Sequence, residues 1–336
     1  MVRAVEERTG FMRRFIQQLG DQESVREIFR IGEVQLRTNR NGNLYLQCEL
    51  SDRTGRIPTR LWNATESTAQ GFDNGDYVYV EGTTQLFQGS MQIIATRITR
   101  TDASKVDEED FLQVARRDID RLASKAADLL RSICDPSLAN LAECFLQDQE
   151  LWTRFTLAPA GVKLHHAYPG GLLEHSVQLM EMAAAISGNY PEADRDQLVL
   201  GAFLHDLGKT GELRWDHELA YTDEGQLLGH VVLGLEILES KIRETNAFTG
   251  EAFPPDLRLR LRHLLVAHHG EQEFGSPRIP MTLEAMILYC LDTMDAKVGA
   301  FTQQMRDDPG AGAWTAYNTN LGRRLFKSDF FTKRQD

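Results

Sequence analysis

The chain has 336 residues, 42% hydrophobic and 26% charged, which gives enough apolar content for real cores, argues against disorder, and at this length suggests two domains. Its four cysteines (Cys48, Cys134, Cys144 and Cys290) are scattered without a CxxC pair, which resembles neither a disulfide framework nor a zinc knuckle and suits a reducing cytoplasm. The N-terminal MVRAVEERTGFMRRF is charged where a secretory signal needs an apolar core, no apolar run nears the roughly 20 residues of a membrane span, and the net charge of −12 would ordinarily argue against nucleic acid, so the first expectation is a soluble, cytoplasmic protein with no membrane partner.

The charge is unevenly placed. Residues 1–104 hold 13 Arg, no Lys and 13 Asp plus Glu, whereas the remainder holds 24 Lys plus Arg against 36 Asp plus Glu. Arginine without lysine suits phosphate binding and base stacking, although codon bias produces the same usage. Residues 10–19 (GFMRRFIQQL) have the spacing of a short amphipathic helix that would dock on a neighbouring domain or a sister subunit, within an N-terminal helical extension at 1–29.

From about Val34 to Arg100 short alternating runs are broken by turn residues: VQLR, NRNGN, LYLQCEL, SDRTG, IPTRLW, a longer excursion NATESTAQGFDNGD, then YVYVEGTTQLF and MQIIATRI. Alternation punctuated by Asn-Gly and Thr-Gly predicts antiparallel hairpins. About five strands in this order of lengths, with the phrases DRTGRIPTRLW and GDYVYVEG, resemble an OB-fold of the nucleic-acid-binding type, here given the bounds 30–104. Such barrels stack the bases of single strands on aromatic rings over a positive groove. The candidates for that face are Tyr45, Trp62 and Phe87 with Arg37, Arg40 and Arg60, against the plain reading that Tyr45 and Trp62 are core.

After the acidic junction TDASKVDEED the pattern turns helical from FLQVARRDIDRLASKAADLLRSI to about Gly299. Loops are expected at GVKLHHAYPGG, around WDHELAYTDEGQ and at HHGEQEFGSPRIP. The tail from 310 (WTAYNTNLGRRLFK) is aromatic and basic, unlike a solvated linker. The fold expected is therefore multi-domain, an all-β OB barrel followed by an all-α domain at 105–309.

All nine histidines fall between residues 165 and 269. A lone buried His–Asp pair such as His205-Asp206 in GAFLHDLGKTGEL is equally well a core hydrogen bond. The ordered set is not: His175, His205-Asp206, His230, His268-His269 and Asp292 come from separate apolar helical stretches, which is how a bundle builds a metal site in its interior. Imidazole with carboxylate and no nearby cysteine suits divalent Mn, Fe, Co, Ni or Zn and disfavours structural zinc.

The order H…HD…D resembles the HD-domain metal-dependent phosphohydrolases. That resemblance assigns His175, His205, Asp206 and Asp292 to a first metal, Asp206 as the bridge, and His230, His268 and His269 to a second. His268 and His269 point about 100° apart on a regular helix, which leaves open that one of them faces substrate. Asp295 repeats the Asp292 signal three residues later, and the phrase LDTMDA favours Asp292. A divalent cation acidifies a bound water and polarises phosphoryl oxygens, and a second one clamps the attacking and leaving oxygens. Lys209 is placed to reach a phosphate oxygen. His165 and His166, in KLHHAYPGG, are expected at the mouth of the site as substrate contacts or as the leaving-group acid.

A barrel followed by this helical domain, with the phrases KLHHAYPGGLLEHS, YTDEGQLLGH and HHGEQEFGSPRIPMTLEA, resembles over residues 30–326 the YhaM-type 3′→5′ exoribonucleases. The resemblance implies release of nucleoside 5′-monophosphates from single-stranded RNA, with single-stranded DNA as a second substrate. It implies one or two Mn2+ ions, with Mg2+, Fe2+, Co2+ or Ni2+ as alternatives. Two other readings remain: a phosphohydrolase of small nucleotides, which needs no strand-binding barrel, and a non-catalytic strand-binding protein, which needs no complete ligand set. Association into a homo-oligomer is left open.

Overall fold

The structure is a computed structural model, and it describes residues 13–327 apart from 40, 88–89, 108–109, 112–115, 163–165, 167, 216–218 and 309–311. The chain divides into two compact units, one formed by residues 1–113 with 307–312 and the other by 114–306 with 313–336.

The first unit is a closed barrel of five strands, β1 (Ser24–Thr38), β2 (Leu44–Asp52), β3 (Gly55–Trp62), β4 (Tyr77–Phe87) and β5 (Ser90–Arg100), in the order β1-β2-β3-β5-β4. The helix α1 (Glu66–Ala69) lies in the excursion between β3 and β4. Closure depends on β1. Its first half pairs with β4 and its second half with β2, the change falling at Arg30, and a register shift between Gly32 and Gln35 interrupts the pairing with β2. Closing the sheet removes the edges that would otherwise pair with other chains. In β2 the residues alternate, with Leu46, Cys48 and Leu50 inside and Tyr45, Gln47 and Glu49 turned outward. The interior is Val25, Phe29, Ile31, Leu46, Leu50, Ile57, Val78, Val80 and Ile93.

The barrel begins at Ser24, earlier than the expected start. The charged residues of SVREIFRI hide a period of two in which Val25, Phe29 and Ile31 face inward. The amphipathic helix expected at 10–19 is corrected for its described part: only the 3-10 turn Ile16–Gln18 forms, and residues 10–12 lie outside the described residues. Asp52 Oδ2 accepts the Ile16 N–H at 2.7 Å and Thr54 Oγ1 accepts that of Gln17 at 3.2 Å, so these donors serve the β2–β3 turn instead of a helix.

The second unit is helical: α2 (Arg116–Arg131), α3 (Pro136–Gln147), α4 (Gln149–Leu157), α5 (Gly171–Ile186), α6 (Arg195–Leu204), α7 (Lys209–Glu212), α8 (Asp223–Thr249), α9 (Pro255–Ala267) and α10 (Leu283–Asp307). Side chains of Asp135, Asp148, Asp194 and Thr222 cap the first turns of α3, α4, α6 and α8, satisfying backbone donors that a helix leaves open. In α6 every residue from Gln197 to Leu204 is buried, and Phe203 meets Phe145 and Phe155 edge-on at 5.3 and 5.1 Å. The loop expected around WDHELAYTDEGQ contains a two-strand ladder, β6 (Leu213–Arg214) with β7 (Ala220–Tyr221). Among the described residues no helix is long and apolar enough to cross a membrane.

Candidate metal centre and strand-binding face

Three of the histidine-bearing helices, α6, α8 and α9, end or break beside their histidine. His175 lies inside α5, which starts from Gly170 at φ 84°, and a Cβ on Gly171 would sit 2.1 Å from the His166 carbonyl oxygen. His205 caps α6 and Asp206 follows in the turn. Gly208 in the same turn lies under α8, so close that a Cβ would be 1.9 Å from the His230 carbonyl oxygen. The helix α8 is itself broken at Gly229 (φ 73°, ψ 160°), one residue before His230. His268 caps α9, with His269 next to it.

These elements bring His175, His205, Asp206, His230, His268, His269 and Asp292 together. The carboxylate of Asp206 is central. Its Oδ2 lies 3.4 Å from His205 Nε2 and 3.7 Å from His175 Nε2, and its Oδ1 lies 3.5 Å from His230 Nε2 and 3.8 Å from His268 Nε2. Asp292 Oδ1 is 3.3 Å from His175 Nε2, and Lys209 Nζ donates to Asp206 Oδ2 at 2.6 Å. His205 and Asp206 are buried together with His175, while His230, His268 and His269 form a second compact group.

The other ring nitrogens explain why the Nε2 atoms converge. His205 and His268 donate from Nδ1 to the carbonyls of Ala202 (2.8 Å) and Leu265 (2.7 Å), three residues back on their own helices. A carbonyl only accepts, so in each neutral ring Nε2 carries the lone pair. His175 Nδ1 pairs with Asp295 Oδ2 at 2.8 Å. His230 offers both its backbone N–H and its Nδ1 to Glu212 Oε1, at 3.0 and 3.2 Å. Engaging Nδ1 this way fixes the tautomer and orientation of metal-binding imidazoles.

The donor set fits a divalent cation. His230 Nε2 and His268 Nε2 are buried without a hydrogen-bond partner, a costly arrangement for a polar atom in a core. His175 Nε2 and His205 Nε2 face each other at 3.1 Å, and only a proton or a cation reconciles two such lone pairs. Charge agrees. Burial, then the neighbouring His205 and His269, push His268 well below the usual imidazole range, keeping it neutral. Burial opposes ionisation of Asp206, but Lys209 and His205 outweigh it and hold the carboxyl well below its usual range. Burial likewise opposes charge on His175, yet hydrogen bonds to Asp292 and Asp295 hold it up at about 9, while His175 and His205 hold Asp292 down at about 2.

Two carboxylates do work that spacing did not assign. Asp295 stands on the Nδ1 side of His175 and Asp292 on the Nε2 side, so the repeated aspartate signal marks two jobs on one helix face. Glu212, six residues after Asp206, carried no signal of its own. His166 is also corrected: it is buried at 6% exposure, in the wall of the centre and not at its mouth. Its backbone is left-handed (φ 58°) and its carbonyl accepts from Ala160 and Tyr168, which turns the ring inward. Its Nδ1 lies 2.8 Å from the Tyr168 hydroxyl, which donates to Glu174. His165 lies outside the described residues.

On the barrel, Tyr45 and Trp62 form a cross-strand pair with ring centroids 5.0 Å apart, and Trp62 is 42% exposed, so neither ring belongs to the core. Arg60 stands 5.5 Å over the exposed Phe87 ring, and the exposed Arg37 is paired in register with Tyr45. Arg40 lies outside the described residues.

Comparison with known proteins follows the same division. A family model described as an OB-fold nucleic acid binding domain matches residues 30–101, and the HD domain model matches residues 172–297. The chain is 33% identical over 293 residues to the 3′-5′ exoribonuclease YhaM of Geobacillus sp. (strain WCH70), covering 87% of this chain and 88% of the relative. It is 32% identical over 272 residues to the protein of that name from Bacillus subtilis (strain 168), covering 80% and 84%.

Proposed function

The chain belongs to the YhaM family of 3′-5′ exoribonucleases, and from that premise we propose that it shortens single-stranded RNA from the 3′ end, with one or two divalent cations in its helical unit and the strand held on its barrel. The observation that carries this reading is Asp206, which turns one oxygen to His175 and His205 and the other to His230 and His268.

His175, His205, Asp206 and Asp292 would hold one cation, and Asp206, His230, His268 and His269 the other, with Mn2+ the expected ion. Bound there, the metal supplies an acidified water and polarised phosphoryl oxygens. The protein supplies the rest. Glu212, Asp295 and the carbonyls of Ala202 and Leu265 keep four imidazoles aimed inward. Lys209, beside Asp206, offers its ammonium to a phosphate oxygen of the scissile link. His166 is the imidazole available to return a proton to the departing 3′ oxygen, with Tyr168 and Glu174 orienting it. Cleavage between phosphorus and that oxygen leaves a nucleoside 5′-monophosphate and a strand one residue shorter. Tyr45, Trp62, Phe87, Arg37 and Arg60 form the surface on which bases stack and phosphates pair, and single-stranded DNA is a second substrate of the same face. The four cysteines, none of them in a disulfide, suit the cytoplasm.

The test is a 5′-labelled single strand incubated with Mn2+. A descending ladder with mononucleotide product is expected. An intact strand with cleavage of mononucleotides alone would make the protein a small-molecule phosphohydrolase.

A further inference from the structure

The aromatic and basic tail does not enter the reading above. Residues 313–327 fold onto the helical unit as a short hairpin. Trp314 bridges Phe326 and Asn318 bridges Arg323, with further ladder bonds from Thr315 to Leu325 (2.9 Å) and from Lys327 to Ala313 (2.8 Å). Gly322, at φ 64°, closes the turn, and Asn318 is hydrogen-bonded to Gln304 of α10.

The pattern of this hairpin is inverted. Alternation places Thr315 and Leu325 on the buried side, the threonine hydroxyl satisfied by backbone partners, while Trp314, Ala316, Arg324 and Phe326 face water. Trp314 is 53% and Phe326 60% exposed, their rings 5.1 Å apart and edge to face. Tyr317 nearby is 63% exposed. A hairpin that only had to pack would bury its indole and show its threonine. Charge points the same way. Residues 310–336 carry five Lys and Arg against two Asp and Glu, attached to a stretch, 105–309, with 19 against 34. Neither Arg323 nor Arg324 forms an ion pair among the described residues. Arg324 Nε donates to the Thr315 carbonyl at 3.0 Å, which ties that side chain to the opposite strand, at the residue next to Trp314. A cross-strand aromatic pair next to an arginine is also what the barrel presents at Tyr45, Trp62 and Arg60.

We propose that the exposed face of the 313–327 hairpin is a second platform for single-stranded RNA, stacking bases on Trp314 and Phe326 and pairing Arg323 and Arg324 with backbone phosphates. The proposal rests on the exoribonuclease reading for the choice of RNA. On a unit otherwise rich in carboxylates, this is where a polyanion gains attraction.

Binding of a fluorescent oligouridylate of about 24 nucleotides to the full chain, in EDTA so that nothing is hydrolysed, tests it. Trp314→Ala should weaken binding about 5- to 150-fold, the equivalent of one base stack of roughly 1–3 kcal/mol. Trp314→Phe should recover most of the loss, and Phe326→Leu, which keeps apolar bulk but has no ring face, should weaken binding as well. Arg324→Ala should lower the salt slope by about one phosphate contact. Affinity within twofold of the parent in all four variants would overturn the proposal. So would unchanged affinity with a fall in sedimenting mass, which would make the face a contact between copies of this chain. If the parent fails to degrade RNA with Mn2+ while Trp314→Ala still weakens binding, the platform stands and the exonuclease reading falls.

Discussion

In the proposed metal centre, Asp206 and Glu212 would separate two ways in which a carboxylate serves a cation. Asp206→Asn removes the anion between the two imidazole pairs at nearly constant volume. It should abolish hydrolysis and lower the Mn2+ stoichiometry measured by calorimetry while leaving strand binding intact; undiminished turnover would remove Asp206 from the centre. Glu212→Gln leaves every proposed ligand in place but weakens the hold on His230 Nδ1 and on its backbone N–H. Loss of such an orienting partner commonly costs 10- to 100-fold in metal affinity, and the same titration should show that loss confined to one site. That these histidines and aspartates would converge was legible in the sequence, because such residues in an apolar helical domain are rare and came in a recognisable order. The orienting carboxylates were not. Asp295 was visible only as a rival to Asp292, since residues three apart share a helix face. Glu212 reaches His230 across two elements, and local spacing holds no trace of that. At Cys48, by contrast, burial, with the neighbouring Glu49 adding to it, pushes the thiol up to about 12. Among the four cysteines it should stay unreactive to a thiol reagent until the barrel unfolds.

At the scale of elements, α8 carries a lesson about glycine. LLGHVV reads as one continuous helix, and a glycine inside it as a mild destabiliser. Yet Gly229 adopts a backbone conformation nearly closed to other residues, and this turns the His230 amide out of the helix toward Glu212. Gly229→Ala should cost about 1–3 kcal/mol of stability in chemical denaturation and should weaken the metal site held by His230; an unchanged denaturation midpoint and metal affinity would refute this. The contact between α4 and α8 makes a separate prediction. Asp148 caps α4 through Oδ1 and takes the buried Lys241 ammonium on Oδ2 at 2.7 Å. Burial raises the Asp148 pKa, but the Leu151 N–H and Lys241 outweigh it, so the carboxyl titrates below 3.8 in the folded chain. A depressed carboxyl stabilises the fold above its unfolded pKa and loses that contribution as pH falls through the folded value. Asp148→Asn keeps the cap and should flatten the acid limb of stability below pH 4, whereas Asp148→Ala should also cost about 1 kcal/mol at neutral pH from the lost cap. The barrel's order and length were legible from turn residues. Its first strand was hidden by charged residues on the outer face, and the short amphipathic stretch before it was mistaken for a helix because Asp52 and Thr54 compete for its backbone donors.

At the scale of the whole molecule, the proposed reading puts the chemistry in the helical unit and most of the strand capture on the barrel. All of the proposed ligands lie between residues 175 and 292, and their supporting carboxylates and carbonyls lie in the same unit. A fragment starting near residue 114 should therefore fold as a helical domain, bind Mn2+ and hydrolyse a dinucleotide at close to the parent rate. On a strand of about 20 nucleotides it should lose kcat/KM, because the barrel supplies binding energy remote from the reacting phosphate and that energy holds the 3′ end in place. Losing even one stacked base at roughly 1–3 kcal/mol makes the deficit about fivefold or more. Charge sharpens the contrast. The barrel half balances 13 Arg with 13 acidic residues, and the rest of the chain carries the entire net charge of −12. Without the barrel the fragment should repel the substrate backbone, most strongly at low ionic strength where screening is weakest, so its deficit should shrink as salt is added. The parent should behave in the opposite sense, losing affinity with salt because the counterions released by its phosphate contacts gain less entropy in a more concentrated solution. Parent and fragment, assayed on both substrates at two salt concentrations, decide the matter. Equal losses on dinucleotide and long strand would mean that the barrel props up the helical fold, and no loss on either would mean that it serves another partner.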